Sequence, residues 1–198
     1  MSKKGILAAA IAIAAVIIAI LAVIIIIIIN NTKILNKDDT MRLEIDTPQK
    51  VSLSDETVTL DVTLSRLGDA LYPAASMSIS FDPTRLELIE VGEGNLVVLG
   101  NTLPSWSCNV AQSNQSGLIN LMYLDLTGGK NAFSKELFED DYNVVLRLKF
   151  RFRGTLREGD VCDIIIEDAV FAASDESQSL ASAKNTLKVK NGKIVIKK

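Results

Sequence analysis

The chain has 198 residues, a length that suits one ordinary domain with its own hydrophobic core. It has two cysteines, which are too few for a disulfide-rich scaffold. It contains no histidine, which excludes His-based catalytic triads and His metal sites. Its net charge of −3 gives a nucleic-acid partner no electrostatic support.

The first feature along the chain is an uncharged apolar stretch from Gly5 to Ile29. As a helix it would be about 37 Å long, enough to cross a hydrocarbon core of about 30 Å. A cleavable signal peptide normally has a shorter apolar region that ends at a small-residue cleavage site. The stretch therefore predicts an uncleaved signal anchor, with residues 1–4 in the cytoplasm because Lys3 and Lys4 precede it.

A prepilin-like leader is an alternative interpretation of the same segment. Lys3, Lys4 and Gly5 before a long apolar run resemble a leader that is cut after the glycine. Such leaders commonly carry Glu at the fifth residue after the cut, where this chain has Ala10. This alternative predicts a pilin-like structural protein of the cell surface.

Residues 30–40 are polar, which predicts a short stalk of at most about 37 Å. Beyond residue 29 the chain is about 41% apolar, an ordinary value for a globular domain. We therefore expect residues 41–198 to form one domain. The anchor topology places that domain outside the cell, on a single-pass membrane protein.

From residue 41 onward, apolar and polar residues alternate with a period of two, most clearly in 57–65, 76–81 and 144–153. Such segments have one dry and one wet face, as a protein of two packed antiparallel sheets requires. Further predicted strands are 41–46, 86–91, 96–99, 105–110, 118–126, 163–167, 186–190 and 193–197. Only the segment 132–141 is predicted to form a short helix. About nine strands predict an all-β jelly-roll sandwich.

Several segments, taken in order, resemble the strands of cohesin domains. Residues 78–91 resemble the third and fourth cohesin strands, with an aromatic-Asp-Pro turn at Phe81-Asp82-Pro83 before the pair Leu86-Glu87. The sixth, seventh, eighth and closing strands resemble residues 118–125, 148–152, 168–172 and 190–196. The resemblance covers about residues 41–198.

This resemblance implies a nine-stranded jelly roll with sheet orders 8-3-6-5 and 9-1-2-7-4. It also implies that the 8-3-6-5 face binds a dockerin, the calcium-loaded module carried by polysaccharide-degrading enzymes. Carried over by position, that face presents Ala74, Ser76, Ser78 and Ser80 from the third strand, Asn120, Met122 and Leu124 from the sixth, and Asp125 at its end. The fifth strand adds Ser105, Ser107 and Asn109. Well-known cohesins carry Asn and Asp where this chain has Ala74 and Ser76.

The resulting hypothesis is a non-catalytic, membrane-anchored module that holds a dockerin-bearing enzyme or scaffold at the cell surface. It needs no cofactor or metal of its own, and any calcium is expected on the dockerin. A carbohydrate-binding module of the same fold is the main alternative. Sugar platforms need several exposed aromatic side chains, but aromatics are only 5% of this chain, and Trp106 is predicted to point inward.

Three groups of residues receive structural rather than catalytic interpretations. The basic stripe Arg147, Lys149, Arg151 and Arg153 is predicted to pair across strands with Asp61 and Glu87. In the inferred sheet order, Cys108 and Cys162 are three strand steps of about 4.8 Å apart, too far for a disulfide, so both are predicted to be free thiols. The acidic residues that could supply a glycosidase pair are Asp82, Glu87, Asp125, Glu167 and Asp168. Nothing in the sequence places two of them in one cleft.

Overall fold

In the computed structural model of the chain, the described residues are 40–48, 51–96, 105–138 and 143–197. All of them fall in one compact unit, Thr40–Lys198. The predicted cytoplasmic residues 1–4, the anchor from Gly5 to Ile29 and the stalk up to residue 39 lie outside the described residues. Within the described ranges, no helix has the length and apolar character that a bilayer crossing requires.

The described part of the chain is mainly strand, which confirms the predicted all-β class. Its twelve strands are β1 (Met41–Ile45), β2 (Val51–Ser52), β3 (Thr57–Ser65), β4 (Ala74–Ser80), β5 (Leu86–Glu93), β6 (Trp106–Cys108), β7 (Leu118–Leu124), β8 (Val144–Phe152), β9 (Val161–Ala172), β10 (Leu180–Ala181), β11 (Leu187–Lys190) and β12 (Gly192–Lys197). Its helical segments are α1 (Val110–Ser116) and two single 3-10 turns, Lys135–Leu137 and Glu176–Gln178.

Two sheets form the sandwich. The first sheet has the order β11-β1-β3-β8-β5, and the second has the order β2-β12-β9-β4-β7-β6, with β10 added beside β9. The predicted order 9-1-2-7-4 corresponds to the first sheet, with β11 as its closing strand. The predicted order 8-3-6-5 corresponds to β9-β4-β7-β6 and is confirmed. The predicted closing strand 190–196 is mostly β12, which lies in the second sheet beside β9, so the order 9-1-2-7-4 holds only with β11 in its place.

The core lies between the inner faces of the two sheets. Leu60 on β3 and Phe150 on β8 come from the first sheet, and Ile79 on β4 and Leu121 on β7 come from the second; each is at most 3% exposed. Period-two alternation produces this arrangement, because every second side chain of a strand points to the same face. Burying one such side chain contributes about 1.5–3 kcal/mol.

The closing segment of the chain is divided between the sheets. β11 pairs in parallel with β1, whereas β12 pairs antiparallel with β9. A Cβ atom on Gly192 would lie 2.4 Å from Cγ2 of Ile45, so only glycine fits where the chain crosses over. This division, and the two-residue strands β2 and β10, explain why the described residues contain twelve strands rather than the predicted nine.

The helix prediction was wrong in its position. The segment 132–141 contains only the 3-10 turn within its described residues, and the α-helix α1 instead follows β6, where a strand was predicted to continue to Val110. The side chain of Asn109 caps α1 by accepting a hydrogen bond of 3.0 Å from the backbone N–H of Gln112. Gly117 ends α1 with a φ of 72°. Both capping residues are visible in the sequence.

The basic stripe was predicted to pair with carboxylates of neighbouring strands. Three of its four residues do so. Nε of Arg147 lies 3.1 Å from Oδ1 of Asp61 on β3. Glu87 on β5 accepts from Arg153 at 2.9 Å and from Arg151 at 3.5 Å. Three of the four cations of this stripe are therefore paired with carboxylates of neighbouring strands.

Both cysteines are free thiols, as predicted. Cys108 is half-buried on β6 and Cys162 is buried on β9. β7 and β4 lie between these two strands, which keeps the sulfur atoms apart. Burial raises the pKa of each thiol, and the raised pKa favours the protonated form.

Candidate functional site

The residues predicted to bind a partner come together on the outer face of β9-β4-β7-β6, here called the β4 face. β4 and β7 are antiparallel neighbours whose register places Ala74 opposite Leu124 and Ser76 opposite Met122. Ser78 lies opposite Asn120 in the same ladder. Residues that are far apart in sequence therefore form adjacent rows across two strands.

Met122 and Leu124 are unusually exposed for apolar side chains, at 63% and 59%. Their neighbours on β7, Leu121 and Tyr123, are buried in the core. This alternation was predicted from the sequence and is confirmed. Two large apolar side chains in one outward row add little to the core, and such rows more often mark a contact surface.

A shallow groove runs along β4 beside Met122 and Leu124. Its floor consists of the small side chains of Ala74 and Ser76, and Val170 on β9 forms the opposite wall. The groove has a volume of about 200 Å³. Its walls, β9 and β7, are two strand steps apart, or about 10 Å, which is close to the diameter of an α-helix.

A second depression lies on the other side of Met122. It is lined by Ser107 and Cys108 on β6, by Asn109 and by Asn120. Ser107 is exposed opposite Met122. Met122 thus forms a ridge between two depressions, and its flexible thioether side chain can adapt to the shape of a partner.

The serine row on β4 is partly engaged in hydrogen bonds across strands. The hydroxyl of Ser78 donates to Oδ1 of Asn120 at 2.8 Å. The hydroxyl of Ser80 donates to Oε1 of Glu167 on β9. Ser76 is exposed at the centre of the row. The face therefore offers small polar groups with spare acceptor capacity beside an apolar ridge.

Asp125 lies at the end of β7, as predicted, but its carboxylate organises the following loop. It accepts hydrogen bonds from the backbone N–H of Thr127 at 2.8 Å and of Gly129 at 2.6 Å. Partial burial disfavours the charged form, but the hydrogen bond from the hydroxyl of Thr127, together with those from the backbone N–H groups, outweighs it and holds the pKa of Asp125 below its usual value. Asp125 thus shapes the rim of the β4 face.

Sequence reasoning missed several residues of the β4 face. Leu126 is 73% exposed and continues the outward row of Met122 and Leu124, a continuation that their spacing of two already indicates. Val170, Glu167 and Asp168 face outward on β9. Their direction depends on an irregularity of pairing between β4 and β9 that the sequence does not show.

The β4 face lacks the features of a sugar platform or a metal site in the described part of the chain. Tyr72, Trp106 and Tyr123 are all buried, and the indole N–H of Trp106 donates to the carbonyl of Val145 at 3.0 Å. Tyr142 lies outside the described residues. No group of three or more Cys, Asp and Glu side chains in the described ranges is placed to hold a metal ion.

Comparison with known proteins gives a consistent result for this unit. A family model described as "Cohesin domain" matches residues 41–196. A search of curated protein sequences gave no match.

Solved structures of several cohesins share the fold. The first is the Coh-OlpA–Doc918 type I cohesin–dockerin complex of Clostridium thermocellum, with 21% identity, a TM-score of 0.62, and coverage of 79% of this chain and 99% of that chain. The second is the sixth cohesin of Acetivibrio cellulolyticus scaffoldin B in complex with a mutant Cel5 dockerin. It has 21% identity and a TM-score of 0.60, and the match covers 79% of this chain and 99% of that chain. The third is a non-cellulosomal cohesin of the archaeon Archaeoglobus fulgidus. It has 13% identity and a TM-score of 0.50, and the match covers 80% of this chain and 92% of that chain. Since the family model spans almost the whole unit and these structures share its fold, the chain belongs to the cohesin domain family.

Proposed function

We propose that this chain binds a dockerin-bearing protein, either a polysaccharide-degrading enzyme or a scaffold, through the β4 face. The observation that carries this proposal is the outward row of Met122 and Leu124 beside the small-residue strand β4. Two of the similar solved structures are complexes of a cohesin with a dockerin. Cohesin domains are non-catalytic interaction modules, which agrees with this kind of surface.

The shape of the face suits a helix. Small side chains on β4 let a helix approach the sheet backbone, while the walls on β9 and β7 limit its sideways movement. An apolar centre with a polar edge is the usual anatomy of a protein interface. The proposed contacts are Met122 and Leu124 as apolar anchors, Ala74 and Ser76 on the groove floor, Ser78 and Asn120 as hydrogen-bonding groups, and Ser80 and Asp125 at the rim.

We further propose that residues 5–29 anchor this module in the cell membrane with the cohesin domain outside. Lys3 and Lys4 before the apolar stretch support this orientation. Tethering would raise the local concentration of the bound enzyme and of its soluble products near the cell. Protease added to intact cells or spheroplasts should remove the domain and leave a small membrane stub. A mature chain that starts near Asn31 would show secretion instead, and one that starts at Ile6 would show pilin-like processing.

No cofactor is proposed for the cohesin domain itself. Calcium, where it is needed, is proposed to bind the dockerin. A chelator should therefore abolish binding without lowering the melting temperature of this chain alone. A fall of several degrees in that melting temperature would place a calcium ion on this chain instead.

The direct experiment uses the full chain in detergent and each dockerin module encoded by the producing organism, expressed separately. Isothermal titration in calcium should identify at least one dockerin that binds with a submicromolar Kd. Met122→Glu should weaken that binding at least about thirtyfold. The matched control is Val189→Glu, which places the same charge on an exposed apolar position of β11 in the first sheet and should bind like the parent.

Two results would contradict the proposal. The first is that no dockerin of the panel binds the parent chain. The second is that the chain is retained on cellulose or xylan and loses retention when Trp106 or Tyr123 is changed to Ala, which would favour the carbohydrate-binding alternative.

A further inference from the structure

The sandwich has two ends, and the chain enters it at one of them. β1 begins at Met41, and the register places Met41 beside Leu187 at the start of β11. Arg42, the next residue, lies beside Ser65 at the end of β3. The loop after β3 returns to the same place, because the hydroxyl of Tyr72 lies 3.5 Å from the sulfur atom of Met41. These residues form one end of the sandwich, here called the entry end.

A depression on the outer face of β1 and β11 reaches the entry end and is lined by three cations. Arg42 lies opposite Lys188, and Lys190 follows two residues later on β11. The depression has a volume of about 230 Å³, and Glu44, 3.1 Å from Nζ of Lys190, is the one carboxylate among its described lining residues. The exposed Arg66 follows β3 at the same end. The depression is therefore basic, although the domain as a whole has more Asp and Glu than Lys and Arg.

Two leucines at opposite ends of the sandwich are exposed to almost the same degree. Leu71, in the loop at the entry end, is 46% exposed, and Leu53 is 45% exposed. Leu53 follows β2, which pairs with the last residues of β12 at the far end, and Asp55 comes two residues later. Near Leu71, the carboxylate of Asp69 lies 2.8 Å from Nζ of Lys135. Of these two leucines, only Leu71 lies at the end that carries the basic depression.

The chain before Met41 limits how far the entry end can lie from a membrane. Residues 30–40 extend at most about 37 Å, so a bilayer that holds residues 5–29 lies within that distance of Met41. Such tethering gives a high effective concentration, which lets a few weak contacts act together. Exposed Lys and Arg side chains are attracted to anionic headgroups, and an apolar side chain beside them enters the interface. The cations, the exposed leucine and the point of chain entry therefore all favour a lipid surface.

We infer, resting on the proposed membrane anchor, that the entry end of the cohesin domain rests on the anionic phospholipid headgroups of the bilayer that holds residues 5–29. Arg42, Lys188 and Lys190 bind headgroup phosphates, and Leu71 enters the interface between the headgroups and the acyl chains. This contact orients the domain. Because the β4 face belongs to the other sheet, it is turned away from the bilayer and stays open to a partner.

The test measures lysine reactivity in the full chain reconstituted in lipid nanodiscs. An amine-reactive reagent, read out by peptide mass spectrometry, gives the initial rates of individual lysines in one sample. Lys188 and Lys190 should react at least about threefold more slowly in discs with about 30% phosphatidylglycerol than in discs of phosphatidylcholine alone. Lys193 and Lys197, exposed on β12 in the second sheet, are the internal controls and should react equally in both. About 500 mM NaCl should remove the difference at Lys188 and Lys190, because salt screens exposed charges.

A matched pair of variants tests the leucine. Leu71→Glu should bring the rate at Lys188 in the anionic discs back toward the rate in the neutral discs, because a carboxylate is repelled by the headgroups. Leu53→Glu makes the same change at an equally exposed position of the far end and should leave the protection of Lys188 intact. Both variants should melt within a few degrees of the parent, since both positions are solvated. Equal loss of protection in the two variants would contradict contact through the entry end.

The remaining outcomes separate this inference from the anchor on which it rests. If the chain stays in the discs but Lys188 reacts equally in both lipids, the anchor stands and the inference is wrong. Slower reaction of Lys193 and Lys197 instead of Lys188 would place the second sheet on the lipid and overturn it. Protection of Lys188 by soluble polyphosphate but not by anionic discs would assign the depression to a soluble polyanion and also overturn it. If the chain does not stay with the discs, the anchor and the inference fall together.

Discussion

The outer faces of the two sheets differ although the inner faces follow the same pattern. On the first sheet, outward side chains pair with each other, as in Arg147 with Asp61 at 3.1 Å and Lys190 with Glu44 at 3.1 Å. On the second sheet, Met122 and Leu124 stand exposed beside small residues. Alternation alone decides which residues leave the core. Only the chemistry of the outward residues separates a surface that suits water from one that suits a partner.

The largest expected effect comes from placing a charge in the apolar row. Met122→Glu should weaken dockerin binding by at least about 2 kcal/mol, because it buries a carboxylate at the centre of the interface. The free energy of unfolding should change by no more than about 0.5 kcal/mol, since the side chain is solvated in the free chain. Calorimetry and thermal melting of the same sample measure the two quantities. Equal losses of stability and affinity would show that Met122 supports the fold instead.

A smaller effect is expected at the rim. Asp125→Asn should lower the free energy of unfolding by about 1–2 kcal/mol, because an amide nitrogen cannot accept the hydrogen bond from Gly129. The hydrogen bonds hold the pKa of Asp125 low in the fold, so its stabilisation is present above the unfolded pKa of about 3.9 and is lost as pH falls through the folded pKa.

The pH dependence of this variant is therefore a second test of the same point. The stability difference between parent and Asp125→Asn should be constant from pH 7 to about pH 5 and should close below about pH 4. Asp175→Asn is the matched control. Asp175 accepts hydrogen bonds from the backbone N–H and the hydroxyl of Ser177, just as Asp125 does from Thr127, but it lies in an exposed turn away from the β4 face. A constant difference down to pH 2 would mean that the carboxylate charge of Asp125 is not what stabilises the loop.

The smallest effect is expected on the first sheet. Glu87→Gln should lower the melting temperature slightly and leave dockerin binding unchanged, because exposed ion pairs contribute little. The hydrogen bond from Arg153 lowers the pKa of Glu87, so the contribution is present above the unfolded pKa and disappears as acid protonates the folded carboxylate. Glu90→Gln on the same strand is the control. A loss of affinity in Glu87→Gln alone would place the interface on the wrong sheet.

The sequence predicted the fold where the signal is local or where the resemblance set the order of strands. Alternation on β7 correctly placed Tyr123 inside and Met122 outside, and cross-strand charge pairing followed from the sheet order. The helix α1 was missed although Asn109 and Gly117 are ordinary capping residues. The direction of Glu167 could not be predicted, because a bulge is a property of two paired strands and a single strand does not show it.

The role of Asp125 shows the same limit within the site. Its position at the end of β7 follows from strand length, so sequence reasoning placed it at the rim. Its hydrogen bonds to Thr127 and Gly129 arise only once the loop folds back on it. Predictions of position were therefore better than predictions of contact.

The most direct measurement of the proposed interface is the rate at which Met122 is oxidised to its sulfoxide. Met122 is 63% exposed, whereas Met77 is buried and Met41 is half-buried, so peroxide should react with Met122 first among the described methionines. Peptide mass spectrometry of the full chain measures all of these rates at once. A saturating calcium-loaded dockerin should slow oxidation of Met122 at least about tenfold and leave Met41 unchanged, as expected when a partner buries the centre of the β4 face. If Met122 in the saturated complex is oxidised as fast as in the free chain, the dockerin does not bind this face.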